Sequence, residues 1–254
     1  MQSQLQFQMM LTRRVKQLII ANVAIWFFGV LILQKFILKK ALLYDWFGLT
    51  PIDVIGHGYI WQLFTYMFLH ASSAYHVLFN MLMLWMFGCE LERLWGGRLF
   101  LRYFFGSGVG AALIYVLGIW GYCRATGNPD LLGNIVVGAS GGVFGLLVAY
   151  GYEFRNRTLY FMMVFPMKAK HMAMVMGAIS IVTILDSGVG TGVAHLAHLG
   201  GFITGGILLW FWRVRPPKSG TRVKSSKNRG RDLRLVVDNE SSPPDTDNGP
   251  RYWN

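Results

Sequence analysis

Long apolar stretches alternate with short, cation-bearing loops through most of this chain, and very few folds accept that pattern. A helix needs roughly 20 apolar residues to cross the hydrocarbon core of a bilayer. Six segments approach that length: about Gln17–Leu38, Tyr75–Leu94, Leu99–Tyr122, Val137–Tyr152, Lys170–Leu185 and Val193–Trp212. Only 14% of the residues are charged and 54% are hydrophobic, whereas a soluble domain carries about 25% charged residues. The surplus of apolar surface therefore needs an apolar solvent. The fold class expected is all-α, a polytopic membrane protein built as a bundle of six transmembrane helices.

Between the first two spans runs a long connection, Lys39 to Ala74, that holds Trp46, Trp61, Phe64 and Tyr66. It is too apolar for a free loop and too interrupted for a span, which predicts an interfacial element lying against the bundle. The loops carry their cations on one side. Arg13, Arg14 and Lys16 precede span one, Arg93 and Arg98 link spans two and three, Arg155, Arg157 and Lys168 link spans four and five, and Arg213 and Arg215 follow span six. The positive-inside rule then puts both termini in the cytoplasm. Lys35, Lys39 and Lys40 stand against that trend, at the outer end of span one.

The net charge of +12 sits in short loops and one tail, which fits contact with lipid head groups and argues against nucleic acid as a partner. The domain plan expected is a cytoplasmic segment over residues 1–16, a membrane domain over 17–214, and a disordered basic and polar tail over 215–254. Pro216-Pro217 ends the last helix, and the residues beyond it lack the apolar surface to fold alone. Cys89 falls in a span and Cys123 in a loop, so no disulfide and no metal spacing is expected. The start lacks the pattern of a cleaved signal peptide, which suggests a retained first span and a bacterial inner membrane.

Ionisable and amide groups are expensive inside a bilayer and mark functional sites by default. Span two opens with His76 and Asn80 on one helix face, span four with Gly138-Ala139-Ser140-Gly141-Gly142, and span six with His195 and His198. In the topology above, spans two, four and six all begin on the outer side. His76, Asn80, Ser140 and His198 should then share a depth, within roughly 10 Å of the outer interface at about 1.5 Å of rise per residue.

Together these groups suit nucleophilic acyl transfer. A serine hydroxyl becomes nucleophilic when a base takes its proton, and histidine is the natural base near neutral pH. His76, the Asn80 amide and the Ser140 backbone N–H at a helix N-terminus can then bind the oxyanion. No membrane carboxylate stands near His198 in sequence, which predicts a Ser–His dyad without a third member and without a metal or other cofactor. Gly138, Gly141, Gly142 and Gly145 around Ser140, with Gly201 and Gly205 after His198, allow close helix approach. Phe144, one turn after Ser140, can lean on the His198 ring. Taken singly, serine and glycine in a span are ordinary packing residues, and a histidine at a helix end is often interfacial. His70 and His171 are assigned structural roles, and His195 competes with His198 as the base.

These residues carry a resemblance. His76-Val77-Leu78-Phe79-Asn80, Gly138-Ala139-Ser140-Gly141 and Ala197-His198-Leu199-Gly200-Gly201 with Gly205, in that order on alternate spans, resemble the rhomboid intramembrane serine proteases. Glu92 with Gly96 matches a further pattern of that family, and the resemblance covers roughly Trp61 to Gly206. It implies a six-helix core with Ser140 as nucleophile, His198 as general base, and His76, Asn80 and the Ser140 N–H as the oxyanion hole. The glycines at plus three and plus seven fit His198 rather than His195. Leu43 to Ser73 would form a membrane-associated first loop, and span five the element beside which substrate enters. Phe144 stands where some members have Tyr. The implied partners are transmembrane protein substrates and the lipid bilayer, with the site opening to the extracytoplasmic side and the oligomeric state unspecified. Two rivals are a proteolytically inactive relative that binds transmembrane helices and a small transporter with midplane polar groups. A fluorophosphonate probe that fails to label the folded protein would favour the first, and solute uptake that survives Ser140→Ala the second.

Overall fold

The structure, a computed structural model, describes residues 11–161, 164–191 and 193–214. The expected tail over 215–254 lies outside the described residues. Helix α1 spans Arg13–Leu38 and so begins before the apolar run does, because its first turn has a partner. The Glu92 carboxylate, only 8% exposed, accepts the N–H of Arg14 and of Val15, each at 3.0 Å, and the Thr12 hydroxyl at 2.5 Å. These are the donors that a helix N-terminus leaves unsatisfied, and a carboxylate also suits the positive end of the helix dipole. From Ile25 onward α1 takes the wider π winding, and it stops at Lys39, whose φ of 52° is left-handed.

The connection folds into short helices, α2 (Leu42–Phe47), α3 (Pro51–Gly56) and α4 (Gln62–Thr65), followed by a 3-10 turn at Tyr66–Phe68. Side-chain amides organise it. The Gln34 oxygen accepts the Leu43 N–H at 2.8 Å, and the Gln62 oxygen accepts the Thr50 N–H at 3.0 Å. Trp61 donates its indole N–H to the Trp46 carbonyl and stacks on Tyr59, which stacks in turn on Trp46. The far end is tied back to α2, where Tyr44 donates to the His70 carbonyl (2.8 Å), and to α1, where Trp26 donates to that of Ala71 (3.0 Å). The segment is thus an ordered layer packed on the helices, as its aromatic content suggested.

Five longer helices complete the bundle: α5 (Ala74–Trp95), α6 (Gly97–Thr126), α7 (Ser140–Glu153), α8 (Ala169–Thr191) and α9 (Val193–Val214). Helix α6 runs past the expected end of span three and takes in Cys123, which is buried and free in a helix and does not lie in a loop. It closes at Gly127, whose φ of 72° suits a glycine cap. To the all-α reading the structure adds a small antiparallel hairpin, β1 (Thr158–Phe161) with β2 (Phe165–Lys168), between α7 and α8. Beside it Arg157 forms an ion pair with Glu90, which also accepts the Tyr150 hydroxyl at 3.1 Å.

Among the described residues five helices, α1, α5, α6, α8 and α9, are long and apolar enough to cross a membrane. Helix α7 falls short of that length at 14 residues, about 21 Å at the usual rise. Its position explains the difference: α5, α6, α8 and α9 all pack on it, and most of its residues are buried. A helix enclosed by protein need not match the bilayer. The outer helices present large apolar side chains instead, with Phe28 at 64%, Phe36 at 67% and Trp210 at 71% exposure. In water that surface would be a liability; in lipid it is in its own solvent.

Candidate active site

Helix α7 begins at Ser140, so Gly138 and Ala139 form the turn before it and are not part of the helix. The turn is held where the Gly138 N–H donates to the Tyr66 carbonyl at 2.9 Å. Gly138 has a φ of +130°, which strains any other residue, and a Cβ there would stand 3.0 Å from His76 Nε2. The Ser140 N–H therefore sits in the first turn of a buried helix, where backbone donors have no helical acceptor.

His198, on α9, is brought to Ser140 by contact between backbones. A Cβ on Gly201 would overlap the carbonyl oxygen of Gly141, and one on Gly205 would stand 2.7 Å from Gly145 Cα. The two helices can approach to this degree only because neither carries a side chain along the seam. Tyr103, from α6, lies across it with its hydroxyl 2.9 Å from the Gly145 carbonyl and 3.0 Å from that of Gly205. On the other face of α7, a Cβ on Gly141 would meet the Tyr66 hydroxyl and Ala111, and one on Gly142 would meet Phe104 and Met67.

The result is a direct hydrogen-bonded pair, with His198 Nε2 2.9 Å from Ser140 Oγ. Phe144 lies flat on the imidazole, the ring centroids 4.4 Å apart and the planes 8° from parallel. The partly buried ring is held in plane by stacking, and among the described residues no carboxylate is bonded to it. His195 stands edge-on to His198 at 5.5 Å and is not the histidine that reaches the serine.

His76 and Asn80 approach from α5. The Ala71 N–H donates to His76 Nδ1 at 3.1 Å, so in the neutral ring the proton belongs on Nε2. That nitrogen is the one facing Gly138, beside the start of α7. Asn80 is 7% exposed and spends one amide proton on the His76 carbonyl, at 2.9 Å. An amide has two N–H protons, so one is left. Among the described residues Asn80 Oδ1 is buried with no partner, and the structure does not bond Asn80 directly to Ser140 or His198.

Three residues of the surroundings went unremarked as site elements in the sequence: Tyr66, Tyr103 and His70. Tyr103 was visible only as a tyrosine within a long span. His70 is fully buried with its ring 5.2 Å from that of His76. Burial, with the nearby His76 second, lowers its pKa from 6.5 to about 3, so it stays neutral and adds no charge beside His76. A serine hydroxyl bonded to an imidazole, with N–H donors of His76 and Asn80 nearby, is an arrangement suited to proton transfer coupled to attack on a carbonyl.

Fold and site together define a multi-pass helical membrane protein with a serine–histidine pair at the meeting of two helix starts. Residues 57–215 match the family described as Rhomboid domain. The chain is 36% identical over 173 residues to RHOMBOID-like protein 1 of Arabidopsis thaliana, covering 66% of this chain and 39% of that protein. It is 31% identical over 164 residues to the putative rhomboid protease YdcA of Bacillus subtilis, covering 63% and 71%. It is 27% identical over 210 residues to the rhomboid protease AarA of Providencia stuartii, covering 79% and 73%. The chain spans about two fifths of the length of the plant RHOMBOID-like proteins 1 and 4 (39% and 38%). The chain belongs to the rhomboid family.

Proposed function

We propose that this protein is an intramembrane serine endopeptidase that cuts transmembrane or membrane-adjacent segments of other membrane proteins. The observation that carries the reading is the 2.9 Å contact between Ser140 Oγ and His198 Nε2, made by residues far apart in sequence through a glycine seam. His198 takes the Ser140 proton as the hydroxyl attacks the peptide carbonyl, and a tetrahedral oxyanion forms. His76 Nε2–H, the free Asn80 N–H and the Ser140 backbone N–H stabilise it. The imidazolium then gives its proton to the leaving amine, and water, activated by the same histidine, releases the acyl group. The named proteases among its relatives support this reading.

Both termini are assigned to the cytoplasm and the site to the extracytoplasmic side, from the cations on the loops. A bacterial inner membrane is the location assigned here, which fractionation of the source cells tests. A substrate segment would reach the dyad from the lipid, where local unwinding frees its peptide bond.

The test is cleavage of a transmembrane-helix reporter by the purified protein, beside Ser140→Ala and His198→Ala. Cleavage by the parent and by neither folded variant is the expected result. Cleavage that survives Ser140→Ala would sink the dyad. A parent that neither cleaves nor reacts at Ser140 with a fluorophosphonate would instead indicate an inactive, helix-binding relative.

A further inference from the structure

The three lysines that break the charge pattern lie beside an apolar groove. The groove, about 570 Å³, runs between α1 and the folded connection and is lined by Phe28, Gly29, Leu33, Leu43, Phe47 and Phe68 among others. Its volume is in the range of small-molecule sites, roughly 300–1,000 Å³, and its lining offers almost nothing to hydrogen-bond. Next to it is a second recess of about 360 Å³ lined by Gln34, Lys35, Lys39, Lys40, Tyr44 and Ser72. The two linings draw on the same two helices. Leu33 lines the first and Gln34 the second on α1; Leu43 lines the first and Tyr44 the second on α2.

An apolar groove with a cluster of cations in the neighbouring recess has the polarity of one kind of molecule. We propose that this face binds one anionic glycerophospholipid, with an acyl chain in the groove and the phosphate on Lys35, Lys39 and Lys40. Charge supports the choice. All three lysines are exposed, and among the described residues none forms an ion pair with a carboxylate. From Gln17 to Cys89 the only acidic residues are Asp45 and Asp53, and Asp53 is engaged by His57 and Gln62. The backbone adds a second argument. Lys39 holds a left-handed φ of 52°, which costs a non-glycine residue free energy, and it places consecutive lysines at the mouth of the recess. A zwitterionic lipid would fill the groove equally well, but it would bring its own cation beside the three lysines and leave their charge uncompensated. This inference does not depend on the protein being a protease.

The experiment is native mass spectrometry of the full chain released from nanodiscs of equal phosphatidylglycerol and phosphatidylcholine. Each lysine near a membrane surface favours an anionic headgroup by roughly five-fold. The parent should therefore retain one phosphatidylglycerol with a preference of at least about that size. The joint variant Lys35→Ser, Lys39→Ser, Lys40→Ser, which changes only exposed side chains, should retain both lipids alike. In Gly29→Leu the new side chain grows from a Cβ already 3.2 Å from Leu43 Cδ1 and should displace the bound lipid of either kind. Equal retention of the two lipids by the parent would overturn the proposal, as would a preference that survives removal of the lysines. A benzophenone amino acid at Phe28 should crosslink to lipid. Capture of a protein segment there, or retention of added inorganic phosphate without lipid, would count against it.

Discussion

The N–H of Ala71 donates to His76 Nδ1 at 3.1 Å and so leaves the ring proton on Nε2, the nitrogen that faces Gly138. A backbone amide outside the helix thus decides which side of a membrane histidine is a donor. His76 can offer a hydrogen bond toward the start of α7 without carrying a charge there.

If that donor serves the oxyanion, His76→Ala should lower kcat by about 10²–10³ while KM changes little, since the loss falls on the transition state. Asn80→Ala should act in the same direction. Single-turnover cleavage of the reporter measures this, with Ser140 labelling confirming that the nucleophile is still in place. A fall in KM-dependent binding alone would remove both residues from the role.

The glycine seam predicts a sharp contrast between neighbours. Gly201→Ala and Gly205→Ala drive a methyl group into the backbone of α7 and should cost about 1–3 kcal/mol or more. Gly206→Ala meets nothing within 4 Å and, in a helix, should be neutral or stabilising by about 0.5–1 kcal/mol. Thermal unfolding in one detergent compares the three, and cleavage should follow the same order.

The Phe144 stack is a face-to-face contact with no polar component. Ring pairs of this kind contribute about 0.5–1.5 kcal/mol. Phe144→Ala should therefore slow cleavage by roughly two- to twelve-fold, whereas Phe144→Tyr keeps the ring and should remain close to the parent. Rates of the three proteins at saturating reporter decide it.

His70 gives a pH dependence whose sign can be worked out. Its pKa is about 3 in the folded chain and 6.5 as a free side chain. Between those values the unfolded state takes up a proton that the folded state refuses. The stability due to neutral His70 is therefore complete above pH 6.5 and is lost as the pH falls through that window. His70→Phe, which removes the titrating group from this buried site, should lose less stability than the parent between pH 7 and pH 5. Unfolding midpoints at the two pH values test it.

The sequence made the membrane class and the spans legible because apolar runs of bilayer length admit almost no other reading. It also exposed the polar residues at the span starts, since polar groups are rare there. The short α7 was misjudged by a few residues because hydropathy counts Val137 and Gly138 as span, while the chain actually turns at Gly138 under a bond from Tyr66. Helix α1 was begun late because Glu92, which caps it, is 77 residues or more away in the chain. The clamp by Tyr103 and the tautomer set by Ala71 were hidden for the same reason: each joins atoms whose nearness only the folded chain creates. The hairpin between α7 and α8 was hidden because Leu159 to Phe165 is an unbroken apolar run without the alternation that marks a half-buried strand.

Where α9 meets α7, carbonyl faces α-carbon with no side chain between. A seam between side chains can be adjusted by small changes, a valine for an isoleucine or one rotamer for another. This one has a single setting. The next available spacing is a whole methyl group wider, and the distance between Ser140 and His198 is linked to it. In the protease proposed here, the rate can be tuned from the substrate side or from the rings around the histidine, but the separation of the reacting pair has no gradual dial.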